Sequence, residues 1–177
     1  YYYGEGVEKD SKKAFVWYEK AASQGFADAQ YNLGVMYYKG EGVEKNSKKA
    51  IEWFEKAASQ GLAIAQFSLG LMYDKGEGVK KDIKKAFEWY EKAASQGLAE
   101  AQYKLGLMYD VGEGVEKDSK KAFEWYEKAA SQGFADAQYI LGIMYDVGEG
   151  VKKDIKKAKK LFKEACNGGH QDSCKLI

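Results

Sequence analysis

The chain has 177 residues, of which 28 are basic and 27 are acidic, giving a formal net charge of +1. This balance argues against the electrostatic footprint of a nucleic-acid-binding protein. All the basic residues are lysine, which weakens that class further because arginine is best suited to bidentate recognition of phosphate and guanine. The chain has no proline and is 15% aromatic, so it is neither a linker nor a disordered tail. No apolar run approaches the roughly 20 residues of a membrane-spanning helix, and we expect no membrane insertion.

An internal repeat of 36 residues organises the chain. The string Gly-Glu-Gly-Val recurs, and its second glycine stands at Gly6, Gly42, Gly78, Gly114 and Gly150. We therefore predict a single repeat domain over 1–177. It consists of a partial unit 1–5, full units 6–41, 42–77, 78–113 and 114–149, and a short C-terminal capping unit 150–177. Because the chain begins inside a unit, we expect the native protein to continue upstream.

Each unit is predicted to contain two helices. Asp10 is a good N-cap for a first helix that runs from Ser11 to about Gln24, and Gly25 is typical of a helix C-terminus. Apolar residues then recur at helical spacing in a second helix, from about Ala27 to Tyr38. Gly34 falls inside this helix at a cost of about 1 kcal/mol, which predicts that a neighbouring helix passes close by.

Stacking of such helix pairs is required because one pair cannot bury its apolar faces alone. The predicted fold class is therefore all-α, a right-handed α-solenoid of helix–turn–helix repeats. The near-identity of the units is compatible with recent duplication or with a consensus-designed array, and the divergent fifth unit favours a natural origin.

The repeated motif resembles that of the Sel-one-like repeat family, a relative of the tetratricopeptide repeat. The third full unit illustrates the residues that carry the resemblance: Ala86, Trp89, Tyr90, Lys92, Ala93, Ala94, Gly97, Ala101, Gln102, Leu105, Gly106, Met108, Tyr109, Gly112, Gly114 and Val115. The resemblance implies a scaffold or adaptor that assembles protein complexes, with the first helices lining a concave groove. It implies a protein or peptide partner, and we expect a monomer or weak self-association.

The candidate partner-binding residues lie on the outward face of the first helices. They are Lys13, Val16, Lys20, Lys49, Glu52, Lys56, Lys85, Glu88, Lys92, Lys121, Glu124 and Lys128. Glutamates and lysines four residues apart, such as Glu52 and Lys56, are spaced for helical ion pairs. Lysines also open every first helix and oppose its dipole. Their ammonium groups either pair with glutamates such as Glu41 and Glu77, which we favour, or form a row of cations for an acidic partner.

The two cysteines, Cys166 and Cys174, stand eight residues apart in the last unit. Across a helical hairpin this spacing is compatible with a disulfide, which we favour over two buried thiols. The local sequence also resembles the Helicobacter-type cysteine-rich repeat proteins, in which such a pair is bridged. A disulfide would indicate an oxidising compartment, so we predict a periplasmic or secreted protein.

Catalytic and metal-binding constellations are poorly represented. His170 is the single histidine, and with the two cysteines it offers only three ligands at awkward spacing, so we predict no metal and no cofactor. The S-x-x-K signature is absent, and without threonine a Lys-Thr-Gly motif cannot occur. We therefore predict a non-catalytic scaffold. The alternative, which the cysteine-rich resemblance implies, is a protein that binds β-lactam or cell-wall ligands with at most weak β-lactamase activity.

Overall fold

The computed structural model of the protein describes residues 10–177. The predicted partial unit 1–5 and the first residues of unit 6–41 lie outside the described residues. Within 10–177 every regular element is helical, which confirms the all-α prediction. The α-helices are α1 (Ser11–Ser23), α2 (Ala27–Lys39), α3 (Ser47–Ser59), α4 (Ala63–Lys75), α5 (Ile83–Ser95), α6 (Ala99–Val111), α7 (Ser119–Ser131), α8 (Ala135–Val147) and α9 (Ile155–Asn167), followed by a 3-10 helix (Gln171–Lys175).

The first helix of each pair begins at the predicted polar cap. Asp10 Oδ1 accepts a hydrogen bond from the backbone N–H of Lys13 at 3.0 Å, and this bond satisfies one of the amides that a helix start leaves unpaired. Equivalent caps are made by Asn46, Asp82, Asp118 and Asp154. The odd-numbered helices α1, α3, α5, α7 and α9 therefore begin at the same position of the repeat.

The second helix of each pair ends at a glycine in the left-handed region. Gly40 has φ +76° and closes α2, and its backbone N–H donates to Met36 O. Since a side chain is disfavoured at positive φ, the glycine of each Gly-Glu-Gly turn stops the helix. The second helices extend one residue beyond the predicted end at Tyr38, to Lys39 in α2.

The chain divides into two compact units, of which residues 10–89 and 90–177 are described, called here the N-terminal and C-terminal units. The core of the N-terminal unit is built from α1 to α4. It includes Leu33, Ala50, Phe54, Leu69 and Met72. A Cβ atom at Gly34 would lie 2.7 Å from the Phe54 ring, so this mid-helix glycine permits the close approach of α3 to α2, as predicted.

The C-terminal unit repeats this packing. A Cβ atom at Gly106 would lie 2.5 Å from the Tyr126 ring, and one at Gly142 would lie 2.6 Å from the Phe162 ring. Tyr126 and Phe162 are both buried. The cost of glycine within a helix is thus offset by the packing of a large ring against the bare backbone.

Pairs of one buried and one exposed glutamine connect successive repeats within each unit. Gln30 Nε2 donates to Ala22 O, and Gln60 Nε2 donates to Gln30 Oε1 at 2.7 Å. The C-terminal unit repeats the second contact between Gln132 and Gln102 at 2.8 Å. Because buried polar groups cost free energy unless they are paired, these glutamines favour one register between neighbouring repeats. Among the described helices, none is long and apolar enough to cross a membrane.

Candidate protein-interaction surfaces

The predicted partner-binding residues on the first helices are all exposed. This row consists of Lys13, Val16, Lys20, Lys49, Glu52, Lys56, Lys85, Glu88, Lys92, Lys121, Glu124 and Lys128. The same helices bury alanines on their opposite side, for example Ala50, Ala57 and Ala58 in α3. Each first helix therefore separates a packing face from an accessible polar face. We call these twelve residues the first-helix row.

Lysines of the row contact tyrosines at the end of the preceding second helix. Lys49 Nζ lies 5.2 Å from the centroid of the Tyr37 ring. The same contact joins Lys85 to Tyr73, Lys121 to Tyr109 and Lys157 to Tyr145, at 5.3, 5.2 and 5.0 Å. These distances are within the range of a cation–π interaction. Four of the helix-opening lysines thus contact aromatic rings, which their spacing in the sequence did not predict.

A second set of lysines lies over the tryptophans of the first helices. Lys56 Nζ is 3.8 Å from the centroid of Trp53, and Lys128 Nζ is 3.9 Å from that of Trp125. Lys20 and Trp17 form the looser equivalent at 4.7 Å, and Trp17 is 57% exposed. The indole three residues earlier therefore positions each of these ammonium groups. These contacts could have been predicted from the sequence, because a lysine follows each of these tryptophans by three residues, which is a helical spacing.

A pocket of about 240 Å³ opens on the N-terminal unit between α2 and α4. Its apolar lining includes Val35, Phe54, Leu71 and Met72, of which Phe54 and Met72 are buried. Lysine and glutamate side chains contribute the polar part of the lining. None of the residues of the first-helix row lines this pocket, so it is a separate surface built mainly from second helices.

Glu77 is held at the edge of this pocket by a hydrogen bond. The Tyr38 hydroxyl donates to Glu77 Oε2 at 2.6 Å. This bond to the carboxylate, together with burial, raises the pKa of Tyr38 above its ordinary value. Lys45 Nζ lies 5.6 Å from the centroid of the Tyr38 ring. The tyrosine therefore connects a carboxylate and an ammonium group at the mouth of the pocket.

The C-terminal unit carries different groups at the equivalent positions. Asp110 replaces Tyr38, and Tyr126 replaces Phe54. Burial, with a smaller contribution from the negative charge of Glu149, raises the pKa of Asp110, while Lys117 opposes the shift. Burial also raises the pKa of Tyr126, whose hydroxyl has no hydrogen-bond partner among residues 10–177. The C-terminal unit thus has a carboxylate, that of Asp110, where the N-terminal unit has the phenol of Tyr38.

The predicted disulfide is present between Cys166 and Cys174, with a Cα–Cα distance of 4.9 Å. It joins the end of α9 to the 3-10 helix. His170 lies between the two cysteines and stacks on Tyr139, with ring centroids 4.2 Å apart. Its Nδ1 accepts from the backbone N–H of Ser173. His170 is therefore a packed loop residue and part of the cap.

No cluster of three or more potential metal ligands occurs within residues 10–177. The imidazole contacts Tyr139, Ser173 and Asp136, and the thiols are consumed by the disulfide. The residues brought together on the described surfaces are lysines, glutamates and aromatic rings. Such groups bind through charge and packing.

The Sel1 repeat model matches the chain five times, over residues 1–26, 27–62, 63–98, 99–134 and 135–170. The chain belongs to the Sel1 repeat family. These matches have the predicted 36-residue spacing, but each full match begins with a second helix and ends after the following first helix. No curated protein is significantly similar to this Sel1 repeat chain.

Solved structures of other Sel1 repeat proteins have the same fold. A protective antigen of uropathogenic Escherichia coli with an SLR fold and a Sel1 repeat protein of Oxalobacter formigenes are each 41% identical to the chain, with TM-scores of 0.94. They match 97% and 99% of this chain, which spans 37% and 72% of their lengths. The cysteine rich protein B of Helicobacter pylori is 32% identical over 73% of this chain and 93% of its own, with a TM-score of 0.59. The repeated helix pairs therefore form an α-solenoid of the Sel1 type.

Proposed function

We propose that this Sel1 repeat chain is a non-catalytic protein-interaction scaffold that presents the first-helix row to a protein or peptide partner. The observation that supports the proposal most directly is the exposure of all twelve residues of the row. Solenoids of stacked helix pairs use the extended concave surface that their curvature creates. Within each unit, a partner bound to the first helices contacts the same register position in successive repeats.

The row is chemically suited to selective binding. Glu52, Glu88 and Glu124 repeat every 36 residues, whereas Val16 occupies the same position in α1. The row also holds eight lysines, so it favours a partner that presents mainly acidic groups, with basic groups opposite the glutamates and an apolar group opposite Val16. Charge complementarity of this kind contributes to specificity and to the association rate more than to affinity alone.

The proposal is tested by capture with matched charge variants. The immobilised chain is exposed to lysate and envelope fractions, and retained proteins are identified by mass spectrometry. We expect a discrete protein whose retention is lost when Glu52, Glu88 and Glu124 are each changed to Lys. The control reverses Glu55, Glu91 and Glu127, which are also exposed and lie on the same helices. Equal retention by both triple variants would contradict binding through the row.

We also propose that the protein works outside the cytoplasm. The Cys166–Cys174 disulfide supports this location, because such bonds persist in oxidising compartments, and so does the similarity to a cysteine rich protein. Thiol trapping in intact source cells tests it. A protein recovered with both cysteines blocked as free thiols would place it in a reducing compartment.

The same disulfide favours one alternative function, the binding of β-lactam or cell-wall ligands. A chromogenic cephalosporin separates this alternative from a scaffold. We expect no turnover above that of heat-denatured protein, because Ser173, whose hydroxyl lies 2.9 Å from His170 Nδ1, is fully buried and out of reach of a substrate. Turnover that is lost when His170 is replaced by Ala would instead support the hydrolytic alternative.

A further inference from the structure

We infer that the pocket of the N-terminal unit binds a peptide segment in which one large apolar side chain is flanked by carboxylates. The pocket lies between α2 and α4, and the first-helix row does not contribute to it. The inference shares with the proposed function only the premise that the chain binds proteins. It adds a second binding site and the chemistry of that site's ligand.

The volume of the pocket indicates which side chain of a bound peptide it can hold, called here the anchor residue. Its volume of about 240 Å³ is below the range of roughly 300 to 1,000 Å³ that is typical of pockets for drug-sized ligands and cofactors. A single phenylalanine, tryptophan or leucine side chain suits this volume. The apolar lining by Val35, Phe54, Leu71 and Met72 would remove such a side chain from water, which is the principal source of affinity for an anchor residue.

Two lysines lie at the edge of this apolar lining. Lys39 and Lys75 are the last residues of α2 and α4, and both are exposed and line the pocket. Lys39 Nζ is 3.9 Å from Glu41 Oε1, whereas the structure gives Lys75 no ion pair within residues 10–177. The third nearby ammonium group is that of Lys45, over the Tyr38 ring.

The lining contains two lysines and one glutamate, Glu77, so its formal net charge is positive. Glu77 Oε2 accepts the hydrogen bond of the Tyr38 hydroxyl, which holds this carboxylate beside Tyr38. The ammonium groups of Lys39 and Lys75 therefore set the electrostatic preference of the pocket. Carboxylates beside the anchor complement both lysines, and they favour an acidic peptide over a basic one.

The residues at equivalent repeat positions in the C-terminal unit differ from those that line the N-terminal pocket. The positions of Lys39 and Lys75 are held by Val111 and Val147 in the C-terminal unit, and that of Ser68 by Ile140. Ser68 lines the pocket, so its small side chain leaves space that isoleucine would fill. The basic edge and the open interior are consequently features of the N-terminal unit, and the sequence of the C-terminal unit supplies substitutions that the fold accepts.

The test uses a fluorescein-labelled peptide with a central phenylalanine, two glutamates on each side and Gly-Ser ends. Fluorescence anisotropy is expected to show saturable binding below about 1 mM. A peptide with glycine at the centre, or with lysines replacing the glutamates, is expected to bind at least about tenfold more weakly. Amide shifts of Val35, Ser68 and Leu71 in an NMR titration locate the peptide.

Two variants of the pocket carry matched controls. Ser68→Ile is expected to reduce affinity at least about tenfold by filling the pocket, whereas Lys104→Ile, at the same register outside the pocket, leaves affinity unchanged. The double variant Lys39→Val with Lys75→Val is expected to weaken binding about threefold to tenfold and to reduce its salt dependence. Lys48→Val with Lys84→Val removes the same charge elsewhere and serves as its control.

The outcomes separate this inference from the proposed function. A variant with Glu52, Glu88 and Glu124 each changed to Gln is expected to bind the peptide as the parent chain does. The inference is overturned if the parent chain shows no saturable binding, or if Ser68→Ile and Lys104→Ile have equal effects while both remain helical by circular dichroism. Neither result would bear on capture of a partner through the first-helix row.

Discussion

Lys49 Nζ lies 5.2 Å from the centroid of the Tyr37 ring, which connects the first turn of α3 to the last turns of α2. The edge of the same ring meets Phe15 of α1, with centroids 5.5 Å apart and planes at 85°. Tyr37 therefore links three successive helices. A lysine in the first turn opposes the helix dipole, and the attraction of its ammonium group to the ring offsets part of that cost.

A double-mutant cycle measures this contact. We expect Lys49→Met and Tyr37→Leu to be coupled by about 0.5 to 1 kcal/mol in the free energy of unfolding, as is typical of an exposed cation–π pair. Lys48 is exposed and adjacent in sequence, so Lys48→Met combined with Tyr37→Leu is the control and should be additive. Equal coupling in the two cycles would show that the effect is a general charge effect.

The hydroxyl of Tyr126 is expected to destabilise the fold. Tyr126 is fully buried and its hydroxyl has no hydrogen-bond partner in the described part of the chain, while Phe54 and Phe162 occupy the same register. Because an unpaired buried polar group costs about 1 to 3 kcal/mol, we expect Tyr126→Phe to stabilise the chain by that amount in chemical denaturation. Tyr38→Phe, which removes a hydroxyl that is bonded to Glu77, should instead destabilise it. A loss of stability in Tyr126→Phe would disprove the assignment.

Asp110 is expected to make stability fall as the pH rises. Burial raises its pKa in the folded chain above the ordinary value of 3.8, so the folded state binds more protons than the unfolded state between those two values. The contribution of Asp110 to the free energy of unfolding is therefore most favourable in acid, and it is lost as the pH rises through the pKa of the folded state.

We accordingly expect Asp110→Asn to raise the apparent melting temperature at pH 7, with a gain that shrinks as the pH falls below the folded pKa. Asp172 gives the opposite comparison, because the hydrogen bond from Lys175 lowers its pKa. The contribution of Asp172 to stability is present above 3.8 and is lost as the pH falls. Thermal melts of Asp110→Asn and Asp172→Asn at several pH values test both predictions. A melting temperature lowered at pH 7 by Asp110→Asn, or raised by Asp172→Asn, would contradict them.

Gly142 is expected to tolerate no side chain. A Cβ atom there would lie 2.6 Å from the Phe162 ring, so Gly142→Ala must displace a buried ring at a typical cost of 1 to 3 kcal/mol. The better helix propensity of alanine returns at most about 1 kcal/mol. Denaturation should therefore show a net loss. Combining Gly142→Ala with Phe162→Leu should cost less than the sum of the two changes, and strict additivity would contradict the proposed clash.

The Cys166–Cys174 disulfide is expected to stabilise the C-terminal end. The chain-entropy model assigns about 2.5 kcal/mol to closing a loop of this length. Changing both cysteines to serine should speed amide exchange in α9 and in residues 171–175, with little effect in α1 to α4, because solenoid repeats stabilise mainly their neighbours. Uniformly faster exchange along the chain would indicate that the bond stabilises the fold globally.

Much of the fold could be predicted because its signals are local. The N-cap at Asp10, the positive φ of Gly40 and the spacing of apolar residues each act within a few residues of the chain. Their recurrence every 36 residues then specifies the helix pairs. The helix ends differ from the prediction by one residue, as at Lys39, because fraying and capping make terminal positions less distinct.

The sequence by itself determined the all-α repeat, the period, the exposed face of the first helices and a disulfide as the favoured state of the two cysteines. Only the tertiary structure decided that Lys49 contacts Tyr37 and that Tyr38 donates to Glu77. It also decided that Ser68 and Lys75 share a pocket with Val35. The physical reason is that caps and periodicity act between near neighbours in the chain. The pocket instead joins side chains more than 30 residues apart, whose contacts depend on how the helices pack.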